Sequence, residues 1–348
     1  NNFGPRIGFA WKPRDKWVVR GGGAVIYAGQ YDQATPVVAN LGFALSVDLV
    51  SQDNGLTPAL MLRNGLPPLK VPTEAELNAG FAAVPRGAAP TNSVEFFEPN
   101  NRRNGYLFQS NLNIQRQVGR DYLVEIGYLS TLGHKLPAPA VFTINQVPPA
   151  LMAAGNAQAR RPFPQFSDVS VHSAAIGNSN YHAGNVKIEK RASHGLHFQA
   201  NYTWSRMIDD LESRNEPGGT SGNGFMNTYS RKDDRGLSGW SIKHRLIYSS
   251  VWDMPVGKGQ KFDLGNPVFN GVLGGWSLGY IGEIRSGFPY GVIEQQNLTN
   301  SFSPSQRPNI AGNPELGTAG RTKAQYLEQW FNPAAFAQPA DFTFGNGG

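Results

Sequence analysis

The densest grouping of side chains capable of chemistry lies between Ile208 and Gly239. Asp209, Asp210, Glu212, Glu216, Asp233 and Asp234 stand there among Arg214, Arg231, Lys232 and Arg235. Where several such oxygens converge they hold Ca²⁺, and Asp209, Asp210, Asp233 and Asp234 are the candidate ligands. Their spacing matches no EF-hand, and the interleaved cations favour a solvated loop of internally paired charges. His194 and His197 are close in sequence, but Gly195 and a turn-to-strand offset separate them, so a turn or polar-face role outweighs a zinc pair. Gly21-Gly22-Gly23 lacks the Lys-Ser/Thr and the helix of a phosphate loop, and reads as a bend or a close-packed place in a sheet. No nucleophile, base and orienting group come together. The sequence therefore predicts a protein that is not an enzyme and needs no cofactor.

The elements that position these groups are strands. From Leu196 to Ser205 the chain alternates without a fault: Leu196, Phe198, Ala200, Tyr202 and Trp204 share one face, His197, Gln199, Asn201, Thr203 and Ser205 the other. The same period of two sets Tyr106, Phe108, Leu112 and Ile114 against Gln109, Asn111, Asn113 and Gln115. It also sets Tyr122, Val124, Ile126 and Tyr128 against Glu125 and Gly127, and Val186 and Ile188 against Asn185, Lys187 and Glu189. Further strands are expected at about Arg6 to Lys12, Trp17 to Tyr27, Ile242 to Met254 and Trp276 to Phe288. Several approach the roughly 9–11 residues that a tilted strand needs to cross a bilayer, and no run of about 18 apolar residues offers a helical span.

Composition agrees with a turn-rich β protein: 41 Gly, 25 Pro, 11% aromatic residues and no Cys in 348 residues, hence no disulfide or thiolate metal site. The net charge of +6 is dispersed with no run of five or six basic residues, so no nucleic-acid partner is expected. Asn1 to Arg6 show no basic, apolar leader pattern, and the chain reads as an internal fragment.

Connections fall into two classes. Short turns are expected at Pro13 to Lys16, Val118 to Arg120 and Ala192 to Gly195. Long Gly-, Pro- and Asn-rich segments are expected at about Ala28 to Asn104, Thr131 to Asp168, Ile208 to Gly239 and Tyr290 onward. Within them, Glu74 to Phe81 is a candidate surface helix, and Asp168 to Ile176 is expected to pair with Tyr181 to Arg191 across a turn at Gly177-Asn178-Ser179-Asn180. Alternation alone does not say which face is inside, so a soluble sandwich or propeller is the competing reading. Lopsided loop lengths, Tyr and Trp near strand ends, and polar faces rich in amides and hydroxyls favour a transmembrane barrel. The expectation is an all-β, antiparallel transmembrane β-barrel portion, incomplete, with about eight to ten strands.

Segments along almost the whole chain carry a resemblance. Asn2-Phe3-Gly4-Pro5-Arg6-Ile7-Gly8-Phe9-Ala10, Val18-Val19-Arg20-Gly21-Gly22, Gly177-Asn178-Ser179-Asn180-Tyr181-His182, Tyr202-Thr203-Trp204-Ser205 with Ile208-Asp209-Asp210, and Asp234-Arg235-Gly236-Leu237-Ser238 come first. His244-Arg245-Leu246, Pro255-Val256-Gly257-Lys258-Gly259, Leu273-Gly274-Gly275-Trp276, Ser286-Gly287-Phe288-Pro289, Arg307-Pro308-Asn309 and Trp330-Phe331-Asn332-Pro333-Ala334-Ala335-Phe336 follow. In this order they resemble the Oar-like TonB-dependent outer-membrane receptors, transporters with an N-terminal carboxypeptidase-regulatory-like domain. The resemblance implies that residues 1–348 are part of a barrel of about 22 strands. The regulatory-like domain, the lumen plug, the segment that engages the energising TonB complex and the last strands would lie elsewhere.

On that reading Gln109, Asn111, Asn113, Gln115, Glu125, Gln199, Asn201, Thr203, Glu283 and Arg285 face the lumen. They would bond to the plug and lumen water or line a solute path. Tyr202, Trp204, Trp252 and Trp276 are expected as membrane-interface aromatics facing outer-membrane lipid. The function implied is active uptake of a small solute, peptide or oligosaccharide. An outer-membrane structural or adhesion protein, and a soluble carbohydrate-binding β domain, are the alternatives.

Overall fold

The computed structural model describes residues 2–27, 58, 60–65, 93–97, 103–138, 142–172, 174–193, 195–211, 225–263, 265–317 and 319–347. The helix expected at Glu74 to Phe81, as well as His194, Glu212, Arg214 and Glu216, lies outside the described residues. In chain order the strands are β1 (Arg6–Trp11), β2 (Trp17–Tyr27), β3 (Ser93–Phe97), β4 (Tyr106–Val118), β5 (Tyr122–Pro137), β6 (Phe142–Thr143) and β7 (Asp168–His172). They continue with β8 (Ala175–Ser193), β9 (Leu196–Asp209), β10 (Gly236–Leu237), β11 (His244–Asp253), β12 (Ser277–Arg285), β13 (Asn309–Ile310) and β14 (Phe336–Ala337). Two short helices follow β11 and β13: α1 (Pro267–Leu273) and α2 (Lys323–Glu328). None of the described helices is long and apolar enough to cross a membrane.

One antiparallel sheet dominates, in the order β1-β2-β4-β5-β8-β9-β11-β12, with β10 extending the β9 edge. β2–β4, β5–β8 and β9–β11 pair across long connections, whereas β1–β2, β4–β5 and β8–β9 pair as hairpins across short turns. Gly119 and Gly195 supply the positive φ that two of these tight reversals need, at 63° and 73°. The strand count and direction agree with the sequence expectation. The sheet does not close: β1 and β12 each have one neighbour among the described residues.

The pairing corrects one expectation. Gly177 to Asn180 do not turn; they run inside β8, opposite Leu136, His134, Gly133 and Leu132 of β5. Ser179 and Asn180 also face Asp209 and Ile208 of β9. Turn-forming residue types are overridden here because both neighbouring strands satisfy their backbone groups, and the Asp210 carboxylate accepts from the Asn178 backbone N–H at 2.6 Å and from its side-chain amide at 2.9 Å. Asp168 to His172 is instead a separate strand, parallel to β3 and antiparallel to β6. The expected Thr131 to Asp168 connection is correspondingly shorter, since β5 runs on to Pro137 through register shifts near Leu136.

The triple glycine lies in β2, and its reading as a close-packed place holds. The Phe9 ring occupies the space that a Gly21 side chain would need, and the Ile7 carbonyl crowds Gly22.

The core is displaced from the wall. Ala138, Val171, Ala174 and Phe225 pack together, with Phe142, Ile144, Ile176 and Leu211 against them. Nearly all fully buried residues sit in the long connections at one rim, whereas the wall leaves large apolar residues open: Ile126 is 58% exposed and Ile284 61%. An apolar face continued over eight strands exceeds what a water-soluble monomer leaves bare, and requires a hydrocarbon surrounding.

Candidate functional site: polar wall face and loop cap

Register places every residue expected on the polar side of the wall on one face. Arg20, Asn113, Gly127, Asn185, Thr203, Arg245 and Arg285 stand directly opposite one another in a single row across β2, β4, β5, β8, β9, β11 and β12. The next row toward the short turns contains Gln115, Glu125, Lys187, Asn201, Ile247 and Glu283. Gln109 and Asn111 continue this face toward the long loops, and Gln199 toward the short turns. Directly opposed residues share a face, so a one-residue slip in any strand would break the row. Arg245 links the two rows, donating to Glu283 at 3.0 and 3.4 Å, while Lys187 pairs with Glu189 at 3.2 Å. Arg285 lies over the Phe288 ring, 5.0 Å from its centroid. Amides, guanidiniums and carboxylates in this arrangement bind and orient polar matter by hydrogen bonding.

The opposite face carries Tyr202, Trp204 and Trp252. Tyr202 is in mid-face, and its hydroxyl meets His244 Nδ1 at 2.7 Å with the rings stacked. The same arrangement recurs between Tyr128 and His182 at 2.6 Å, and Tyr248 meets Tyr280 hydroxyl to hydroxyl at 3.1 Å. Each pair is a diagonal between adjacent strands, which satisfies a polar tip without water on an otherwise apolar surface. Trp11, Trp17, Tyr122 and Trp252 gather at the short-turn ends of their strands. Trp276 sits just before β12, its indole N–H donating to the Val272 carbonyl at 2.9 Å.

The four aspartates proposed for Ca²⁺ do not converge on one point. Asp210 is paired with Arg231 at 2.7 Å, and Asp234 with Arg307 at 3.1 Å. Asp233 accepts from Asn227 and Ser230, and Asp209 from the Leu211 N–H. Protein donors engage these carboxylates. Among the described residues no three His, Cys, Asp or Glu side chains are grouped to hold a metal ion.

Sequence reasoning missed the polar network that joins three long connections into a cap. Gln146, fully buried, donates to the Met226 carbonyl at 2.9 Å and accepts from the Thr228 N–H and hydroxyl, both at 2.8 Å. Its carbonyl accepts from the Tyr229 hydroxyl, and Ser303 donates to the same Met226 carbonyl at 2.7 Å. Val147 N–H reaches the Ser301 carbonyl, and Arg307 the Asp233 carbonyl at 2.7 Å. Arg161, lying over the Phe302 ring, has its pKa lowered by burial, against the opposing pull of Asp168. The one available signal was the alternation of hydroxyls at Thr299, Ser301, Ser303 and Ser305, all of them buried.

Two solved structures are similar to this chain at low identity. The FrpB iron transporter from Neisseria meningitidis (F3-3 variant) is 10% identical, with 74% of this chain and 25% of that one covered at a TM-score of 0.35. The outer membrane transporter YddB from Escherichia coli is 9% identical, with 72% and 26% covered at a TM-score of 0.36. The chain thus spans about a quarter of the length of either transporter. No curated protein matches. A hydrocarbon-facing antiparallel wall with short turns at one rim and long connections at the other is the form of a bacterial outer-membrane barrel, and since the model of the outer membrane β-barrel domain family matches residues 1–348, the chain belongs to that family and resides in the outer membrane.

Proposed function

We propose that this chain is part of the barrel wall of an Oar-like, TonB-dependent outer-membrane receptor that takes up a polar solute without covalent chemistry. The observation that carries the reading is the unbroken polar row from Arg20 to Arg285, backed by hydrocarbon-facing residues on the other side. Such a face suits a plug and a hydrated path: it holds donors and acceptors at fixed spacing and offers no reactive group. The plug, the regulatory-like domain and the segment engaging the TonB complex belong, in this proposal, to a longer protein. Candidate cargo is a small solute, a peptide or an oligosaccharide.

The test is accumulation of candidate solutes by cells producing the intact protein, compared with cells lacking it and with cells lacking TonB. Equal loss of accumulation in both deletions supports uptake; unchanged accumulation in both rejects it.

A second reading, surface attachment, draws on the cap. Connections that only admit a solute have no need of a shared buried network like that around Gln146 and Met226. Shortening the cap while keeping the wall separates the two: attachment lost with uptake retained favours adhesion.

A further inference from the structure

The connection between β11 and β12 is unlike the other turns on its rim. Residues 254–276 carry α1, with Pro267 in its first turn and the Asn266 side chain capping the Val268 N–H. The helix is mounted with its polar side inward. Asn270 donates to Asp263 at 2.6 Å, and Gly274 lies so close to Gly257 that a side chain on Gly274 would collide with backbone. The apolar side is therefore turned out: Val268, Phe269, Val272 and Leu273, spaced to share one helix face, are each about half exposed or more.

This outward face is continuous with the hydrocarbon-facing side of the wall. Trp276 is tied to α1 through the Val272 carbonyl, and the next outward residue of β12, Leu278, stands opposite Trp252. Lys258 and Lys261 are exposed in the same connection, while the nearby Asp263 is engaged by Asn270 and the Gly265 N–H. Short connections mark the periplasmic rim of an outer-membrane barrel. A small helix with an apolar outer face, flanked by Trp and Lys, has the composition of one lying in the headgroup layer.

We infer that α1 is a lipid anchor, with Val268, Phe269, Val272 and Leu273 inserted into the periplasmic leaflet of the outer membrane and Lys258 and Lys261 on anionic glycerophospholipid headgroups. The occupant of this face is a lipid surface rather than a periplasmic protein, because the face continues the membrane-facing wall with no polar break between Trp276 and Leu278. The inference rests on residence in the membrane and is independent of what the barrel transports.

Residues 1–348 have no Cys, and with any Cys elsewhere in the intact protein replaced by Ser a single one reports cleanly. Val272→Cys, and separately Val268→Cys in case the first does not assemble, is introduced into the intact protein. The protein is labelled with an environment-sensitive fluorophore and reconstituted in phosphatidylethanolamine–phosphatidylglycerol vesicles. Expected is a blue-shifted emission, quenched more strongly by a nitroxide near the headgroup than by one at the chain end, and little loss with aqueous iodide. Asp15→Cys, in the exposed turn between β1 and β2 on the same rim, serves as the control and loses its emission to iodide. Ready loss to iodide at position 272 or 268 overturns the inference. Shielding from both nitroxide and iodide also overturns it, by showing that protein covers the helix.

Discussion

Asn113 of β4 and Asn185 of β8 meet over Gly127 of β5, their side-chain oxygens filling the space a β-carbon at 127 would take. The absent side chain lets two amides from strands that are not neighbours close the polar row. Gly127→Ala is expected to cost little, since an Asn side chain can swing aside. Gly127→Leu should lower stability by about 1–3 kcal/mol, in the range for overpacking. Urea unfolding of the intact protein in detergent, followed by heat-modifiable migration on gels, reads both. Equal stability of all three proteins would contradict the packing described.

The cap depends on Gln146 and Arg307. Gln146→Ala strands the Thr228 N–H and hydroxyl, while the Met226 carbonyl keeps its bond from Ser303, at about 1–3 kcal/mol for each group left buried and unpaired. Arg307→Ala removes the buried 3.1 Å ion pair to Asp234, whose carboxylate still accepts from the Met226 N–H, with an expected cost of about 3 kcal/mol. In both variants limited proteolysis on intact cells should cut residues 225–243 faster, while the wall remains assembled.

The Tyr202–His244 pair holds a polar contact on the membrane face. Tyr202→Phe should remove about 0.5–1.5 kcal/mol, the net value of one hydrogen bond. Tyr128→Phe should act alike on His182. Because the two pairs share no partner, the double variant is expected to show the sum of the single effects. Unfolding midpoints of the four proteins test this.

Asp263 links pH to the seating of α1. Donation by the Asn270 amide, then by the Gly265 N–H, holds its carboxyl below the ordinary value of 3.8. A depressed folded-state pKa stabilises above the unfolded value and loses that contribution as pH falls through the folded value. The amides around α1 should therefore lose protection, relative to their intrinsic exchange rate at each pH, only at strongly acidic pH, below the usual carboxylate range. Asn270→Ala should move the onset to higher pH. Hydrogen exchange measured against pH, with and without that substitution, checks the sign.

How much of this was legible in the residues depends on the range of the interaction. The alternation from Leu196 to Ser205 determined β9 and the composition of its two faces, and similar runs determined β4, β5 and the later part of β8, because side-chain direction in a strand has a period of two regardless of what lies beside it. Lopsided connection lengths determined which rim would carry the long segments. The pairing of Asn178 with His134 of β5, and its capture by Asp210, only the tertiary structure decided; locally, Gly177 to Asn180 carry the residue types of a turn. The cap was equally out of reach. Gln146 finds Met226 and Thr228 some eighty residues onward, and Arg307 finds Asp233 and Asp234 more than seventy residues back. Strand periodicity is written into neighbouring residues, whereas a buried hydrogen bond between distant segments leaves no local pattern, and only the folded chain brings donor and acceptor together.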